Sequence, residues 1–494
     1  MSGLKKIPFF LFLLVLFFCL HGSLENYGYI DFSEVMLIGI LIGVCVGLFF
    51  IVVYCFTRNV LFAALTCFFV SLWYLFFGAF HDWIKNRPSL SFMHGYAVLL
   101  PLLLATSIAW AIYLRRHKAS HQKWAFYLNL LLIVYCCIDG IGLMRHYFSA
   151  AHKTMAPVII DNRLVKAKPN VYYLLFDEYP GYKSLKDSFA FANDSLYHFF
   201  EKNDFKLLPT HSNYDYTFFS MASILNMQYV PETYDPANVT QHDIQLRMNE
   251  IRHANVFSIF ANMGYSIRNC SIFDVNDQHG VSSQNAILPV HSLLLTDKIL
   301  HNRIIRNSGW LFTTGKWALP FLKKRFLFQQ DTDNKTAETM VDGIAVAKKI
   351  KPVFVYAHFL MPHGQNFRDS SGSFNTDAMI FNDLPGMYKP LFISYLKYTN
   401  KVIMSMVNNI TANDTTAIII VMSDHGKRFY NNTNYSEPLS YDNICAVRFP
   451  DHHFIEYKEK WSTVNFFRYI LNSGFSQNLP YLPDSVFAIK HTYY

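Results

Sequence analysis

The 494-residue chain is short of charge: Asp, Glu, Lys and Arg make up 16% of it, against 52% hydrophobic residues. An ordinary soluble domain carries about 25% charge, so this composition excludes a wholly water-exposed enzyme. Cysteine is scarce where it would build a fold. Of the eight, Cys19, Cys45, Cys55, Cys67, Cys136 and Cys137 fall in the apolar N-terminal region and read as small lipophilic residues. Cys270 and Cys445 alone remain beyond it, enough for one disulfide but not for a disulfide-built scaffold. There is no CxxC pair and no internal repeat. The net charge of +8 sits at membrane flanks and in one basic segment, so a nucleic-acid partner is excluded as the reading.

What is present begins with membrane. A spanning helix needs about 20 apolar residues, and five segments qualify: roughly 7–20, 35–55, 61–80, 96–114 and 124–144. The first, behind Lys5 and Lys6, also has the form of a signal peptide. Four further spans follow it closely, which favours an uncleaved helix. Lys5, Lys6, Arg58, Arg115, Arg116, Lys118 and Lys123 fall on one side if the helices alternate. Glu25, Asp31, Glu34 and Asp82 fall on the other, with Lys85 and Arg87 as exceptions. The positive-inside rule then places the N-terminus in the cytoplasm and everything after about Met144 on the outer face. Asp139, near the end of the fifth span, reads as interfacial. The expected organisation is a five-helix transmembrane domain (1–145), a linker along the outer face (146–168) and an extracytoplasmic domain (169–494).

In that outer region short apolar runs end in chemistry-bearing residues. Val171–Phe176 is followed by Asp177 and Glu178, and Pro352–Leu360 contains His358 and leads to His363-Gly364. Thr415–Gly426 runs through Ala, Ile and Val into Ser423-Asp424-His425-Gly426. Runs apolar on both faces are the pattern of interior strands, and open α/β sheets place their chemistry beyond the carboxyl ends of such strands. An adjacent Asp and His offer a hard oxygen and an imidazole to one divalent cation, and Gly426 allows a sharp turn. Taken singly, each acid is also a turn or capping residue, and His358 a packed core histidine. His363, on a loop beside Pro and Gly, suits holding a phosphate oxygen or protonating a leaving group. Thr217 stands near a helix N-terminus, where unpaired N–H groups stabilise an anion. Its hydroxyl is a poor nucleophile unless a metal or base lowers its pKa. A basic, aromatic segment, Ser292–Phe328, suits either anionic headgroups or an amphipathic helix pair packed on the outer domain.

An acid after the first strand, Thr217-x-x-Ser220, a His loop and Ser-Asp-His-Gly occur in an order that resembles the alkaline phosphatase/sulfatase superfamily. With the spans before them, they look most like its membrane-anchored branch, the phosphoethanolamine transferases and lipoteichoic acid synthases. The resemblance covers roughly 170–475 by motif and 1–145 by architecture. It implies a mixed-sheet α/β domain flanked by helices, with Asp177, Thr217, Asp424 and His425 binding one divalent metal and Thr217 as the nucleophile. His358-x-x-x-x-His363-Gly is similar to a transferase motif, which implies headgroup or phosphate contacts for both histidines, and Ser220 joins them by spacing. The first acid is Asp where that branch usually has Glu, and Glu178 beside it leaves a second metal open. Zinc is favoured over manganese by the imidazole.

The implied activity moves a headgroup phosphate, phosphoethanolamine or phosphoglycerol, from a membrane phospholipid through phosphothreonine to a lipid or glycan acceptor. The enzyme would be a monomer in the plasma membrane. The alternatives are a phosphodiesterase using water, a sulfatase, or a non-catalytic relative. The Cys/Ser-x-Pro-x-Arg pentapeptide of sulfatases is absent; the nearest stretch, Ser436-Glu-Pro-Leu-Ser440, lacks the Arg.

Overall fold

The computed structural model describes residues 7–149, 155–231, 234–283, 292–313, 319–320, 323, 327–383, 388–428, 437–451, 454–455 and 461–489. Lys5, Lys6, Lys316, Lys324, Arg325 and Ser436 lie outside the described residues. The chain forms two compact units, one of Met1–His152 with Ile287–Phe326, the other of Lys153–Ala286 with Leu327–Tyr494.

The helical unit holds α1 (Phe10–Glu25), α2 (Phe32–Thr57), α3 (Val60–Lys85), α4 (Tyr96–Arg116) and α5 (His121–Ser149). Among the described residues α2 to α5 are long and apolar enough to cross a membrane. The 16 residues of α1 rise about 24 Å, short of a hydrocarbon core of about 30 Å. The region thus holds four to five apolar helices, α1 being the shorter one and packed in the bundle through Phe10, Leu14 and Phe18. Asp139 departs from expectation. It is buried within α5, 3.2 Å from Nδ1 of His21 on α1.

The basic segment belongs to this unit, which corrects the alternative that it packs on the outer domain. Leu293–Thr296 and the helix Leu300–Ser308 lie against the C-terminal ends of α1 and α3. The N–H of Gly78 donates to the Lys298 carbonyl at 2.7 Å, and a Cβ on Gly78 would sit 2.6 Å from the Lys298 Cα. Only glycine permits that approach. Lys298 Nζ is 2.7 Å from Glu25, and buried Arg303 pairs with Asp82 and faces Asp297 at 3.7 Å. The cations point at helix-end acids because burying them unpaired would be prohibitive.

The α/β unit is built on a six-stranded sheet in the order β2-β7-β6-β1-β5-β4. The strands are β1 (Val171–Phe176), β2 (Lys206–Leu207), β4 (Ser266–Cys270), β5 (Val353–Phe359), β6 (Ile418–Met422) and β7 (Cys445–Arg448). Thr210–His211 (β3) and Trp461–Ser462 (β8) form a separate parallel pair. β1 runs parallel to β5 and β6, β4 parallel to β5, and β7 antiparallel to β6 and β2. The sheet is thus mixed, as expected. Every residue of β1, β5 and β6 is buried, because helices cover both faces. Tyr173 and Leu175 pack with Phe219, Phe466 and Phe467 on one side; Tyr172, Leu174 and Phe176 pack with Ala337, Phe392 and Ile403 on the other. The register pairs Phe176 with Phe359 and Leu175 with Met422, so the three strands end at one level. Whatever follows them is brought together. Cys270 and Cys445 lie in strands separated by three others and are free.

Candidate metal centre and active site

Asp177 is the first residue past β1, and Asp424 and His425 follow β6 by one residue. Thr217 opens the helix Thr217–Asn226, its predecessor Tyr216 still extended at φ −137°, ψ 124°. Helix and strand ends meet where Ser220 Oγ donates to the Asp424 carbonyl at 2.7 Å. Ser220 is fully buried in that contact, so its place is under the site and not toward substrate, contrary to expectation. Gly426 approaches 439–442 so closely that a Cβ would lie 2.2 Å from the Leu439 carbonyl oxygen. The glycine is needed for packing, while the anticipated reason was a sharp turn.

The four residues expected to converge do so. Thr217 Oγ1 is 3.4 Å from Asp177 Oδ1 and 3.1 Å from His425 Nε2. His425 Nε2 is in turn 3.3 Å from Asp424 Oδ2 and 3.9 Å from Asp177 Oδ1. His358 is a fifth member: its Nε2 lies 3.9 Å from Asp177 Oδ2. Asp177, His358 and Asp424 each offer a ligand atom within 4.8 Å of the others. All are buried, Thr217 being 8% exposed.

The donor set fits a divalent cation. His425 Nδ1 is 2.8 Å from the Gly426 carbonyl, which only accepts, so Nδ1 carries the proton and Nε2 presents a lone pair. That lone pair faces an Asp424 oxygen that accepts no hydrogen bond, and His358 Nε2 is likewise without a hydrogen-bond partner. A buried acceptor turned on another, as His425 Nε2 is on Asp424 Oδ2, is unfavourable until a cation lies between them. His358 Nδ1 meets the Tyr356 hydroxyl at 3.2 Å, the outer support that a metal-binding imidazole uses. Burial pushes the Asp177 carboxyl up, but His363, His358 and His425 around it outweigh that and hold it below the usual range. Burial, then the charge of Asp177, raises Asp424. The two facing carboxyls thus divide, one firmly ionised and the other reluctant.

Glu178 does not join this set. Lys427 Nζ lies 2.8 Å from one of its oxygens and Arg428 Nε 2.9 Å from the other. Burial alone would raise Glu178, yet Lys427, His363 and Arg428 hold it well below the usual carboxylate range. The second metal left open on Glu178 is therefore not supported: its oxygens are taken by cations. Sequence reasoning missed Lys427 and Arg428, although the Gly-Lys-Arg continuation of the signature was there to be read. His363 stands at the rim, its side chain 30% exposed and Nε2 3.8 Å from Glu178.

The Sulfatase family model matches residues 198–467. Among solved structures, the C-terminal periplasmic domain of EcEptC from Escherichia coli, crystallised in complex with Zn, aligns over 65% of this chain and 87% of its own. Its identity is 10% and its TM-score 0.40. The phosphonate monoester hydrolase SpPMH from Silicibacter pomeroyi aligns over 64% of this chain and 75% of its own, at 13% identity and TM-score 0.40. No curated protein matches the chain.

Proposed function

Because the chain belongs to the Sulfatase family, on a match over residues 198–467, we propose that it is a metal-dependent phosphotransferase of the outer membrane face. It takes a headgroup phosphate, phosphoethanolamine or phosphoglycerol, from a phospholipid and passes it through phosphothreonine to a lipid or glycan acceptor. The observation that carries this reading is Thr217 Oγ1, 3.1 Å from His425 Nε2 and 3.4 Å from Asp177, at the edge of a buried set of unsatisfied metal-ligand atoms.

Asp177, Asp424, His425 and His358 would hold the ion, zinc before manganese given two imidazoles. Bound there, a divalent cation supplies charge neutralisation to the phosphodiester and lowers the pKa of the Thr217 hydroxyl. The Thr217 oxygen attacks phosphorus, forming a Thr–O–P bond as the bond to the diacylglycerol oxygen breaks. The Thr217 proton leaves to water, and His363, at the exposed rim, gives a proton to the diacylglycerol oxygen. An acceptor hydroxyl then gives its proton to His363 and attacks the phosphothreonine, and the Thr217 oxygen leaves and takes a proton from water. Anchoring by the apolar helices keeps the enzyme beside its donor and its diacylglycerol product, which favours transfer over hydrolysis.

The test is full-length protein in liposomes holding headgroup-labelled phospholipid. Label should appear on Thr217 and then on an added acceptor. Label released only into water makes the protein a phosphodiesterase, and no turnover with any phosphodiester or sulfate ester makes it a non-catalytic relative.

A further inference from the structure

The segment that delivers Thr217 is buried, yet it belongs to no helix and to neither sheet. Residues 212–216 are all buried, and buried backbone without a ladder of its own must find its partners elsewhere. On one side the Ser212 N–H donates to the Tyr441 carbonyl at 2.9 Å, and the Asn213 side chain accepts from the Val464 N–H at 2.7 Å. Residues 483–489 supply the other side. The Phe487 N–H donates to the Asn213 carbonyl at 2.8 Å, and Asn213 Nδ2 donates to the Ser485 carbonyl at 2.6 Å. The Phe487 ring stacks on Tyr214 with centres 5.1 Å apart. The Ile489 N–H donates to Asp215 Oδ1 at 2.8 Å. Before them, the Tyr229 hydroxyl donates to the Pro483 carbonyl at 2.6 Å, and His211 Nε2 lies 2.9 Å from Asp484.

Asp215 is where this strap reaches the candidate site. It is buried, two residues before Thr217. Burial disfavours its charge, and the Ile489 N–H, then His425 and Arg428, offset that. His425 in turn meets Thr217 Oγ1 at 3.1 Å, and Arg428 is held on Glu178. The strap itself is lightly held. Residues 483–486 and 488 are exposed, and only half-buried Phe487 and buried Ile489 anchor its end. It pairs with none of the strands of the six-stranded sheet. A segment of this kind opens locally at small cost, and its release frees 213–215 while the sheet stays intact. A nucleophile displaced by about 1 Å can lose about 10²-fold in rate. We infer that residues 483–489 are a strap that sets the position of Thr217, with Asp215 as the positioning residue through which it acts. This rests on the phosphotransfer reading for its effect on turnover, but not for its hold on 211–217.

The full-length chain is compared with one ending at Asp484, both zinc-loaded in liposomes holding headgroup-labelled phospholipid. Amide exchange across 211–217 should quicken at least about tenfold in the shortened chain, with β1, β5 and β6 as protected as before. Labelling of Thr217 should slow about 10²-fold, with KM for the phospholipid changed less than about twofold and zinc content unchanged. A merely structural segment would lower strand protection or zinc content together with the rate. A peptide of residues 485–494 should restore both readouts, and the same peptide with Phe487→Ala should not. If the shortened chain does not fold, full-length Phe487→Ala decides the matter: loss of the ring stack should slow labelling about tenfold. Unchanged exchange across 211–217, labelling at the wild-type rate, or exchange that quickens equally in the strands overturns the strap. A wild-type chain that never labels Thr217 sinks the transfer reading and leaves the exchange result to judge the strap.

Discussion

At the C-terminal ends of α1 and α3, acids of the docking cluster meet cations: Glu25 with Lys298, Asp82 with Arg303, and Asp297 with Arg303 and Arg306. At the strand ends of the α/β unit, two carboxylates and two imidazoles face one another, and Asp424 Oδ2 and His358 Nε2 have no hydrogen-bond partner. The first cluster is closed in charge, each acid on a cation, and fastens a segment to its helices, although Arg303 Nε has no hydrogen-bond partner. The second is left open, its carboxylates and imidazoles meeting with no Lys or Arg among them. Acids facing other acceptors, more than single unsatisfied atoms, mark the cluster suited to a cation.

The largest effect should come from the open cluster. Thr217→Ala removes the nucleophile and should lower phospholipid consumption at least about 10³-fold, with zinc content unchanged; turnover near wild type would remove Thr217 from the chemistry. The closed cluster should respond in stability. Arg303→Ala strands Asp82, leaves Asp297 to Arg306 alone and deprives Gly78–Lys298 of its neighbour, a loss of about 2 kcal/mol given that Asp82 is partly solvated. Limited proteolysis across 292–313 in detergent should show the segment released. Asp424→Asn reverses the usual sign. Removing one of two facing carboxylates should stabilise the metal-free protein by about 1 kcal/mol, while added zinc should no longer raise its melting temperature.

The smallest effect belongs to an intermediate case, the buried Arg247–Glu250 pair on the helix Gln241–Arg252. Burial pushes Glu250 up to about 7, and Arg247 only partly opposes it. The folded chain then holds this proton more tightly than the unfolded chain, so stability falls as pH rises from about 4.5 to about 7. Glu250→Gln should flatten denaturation midpoints across that window, and an unchanged slope would place its cause elsewhere.

Strands β1, β5 and β6 were legible because a strand covered on both faces has to be apolar throughout, and that leaves a mark in the sequence. Asp177, Thr217, Asp424 and His425 were legible because strand ends and a helix start are where such sheets keep their chemistry. His358 was ambiguous, since a buried strand histidine reads the same whether it packs or ligates, and only the register decides. Lys427 and Arg428 look like solvated cations until Glu178, about 250 residues earlier, is brought under them. The composition of 292–328 left headgroups and a packed helix pair both open and did not point to α1 and α3, because the Gly78–Lys298 approach leaves no local pattern. Ser220 fitted the motif spacing, yet the helix turn that presents Thr217 outward directs Ser220 to the Asp424 backbone.

The central claim is one cation on Asp177, Asp424, His358 and His425. It is tested most directly by the metal content of the full-length protein and its variants, measured by inductively coupled plasma mass spectrometry. The account predicts one divalent ion per chain, lost on Asp424→Asn or His358→Ala and retained in Thr217→Ala and Glu178→Gln. Retention in Asp424→Asn, or a second ion that disappears with Glu178→Gln, would contradict it.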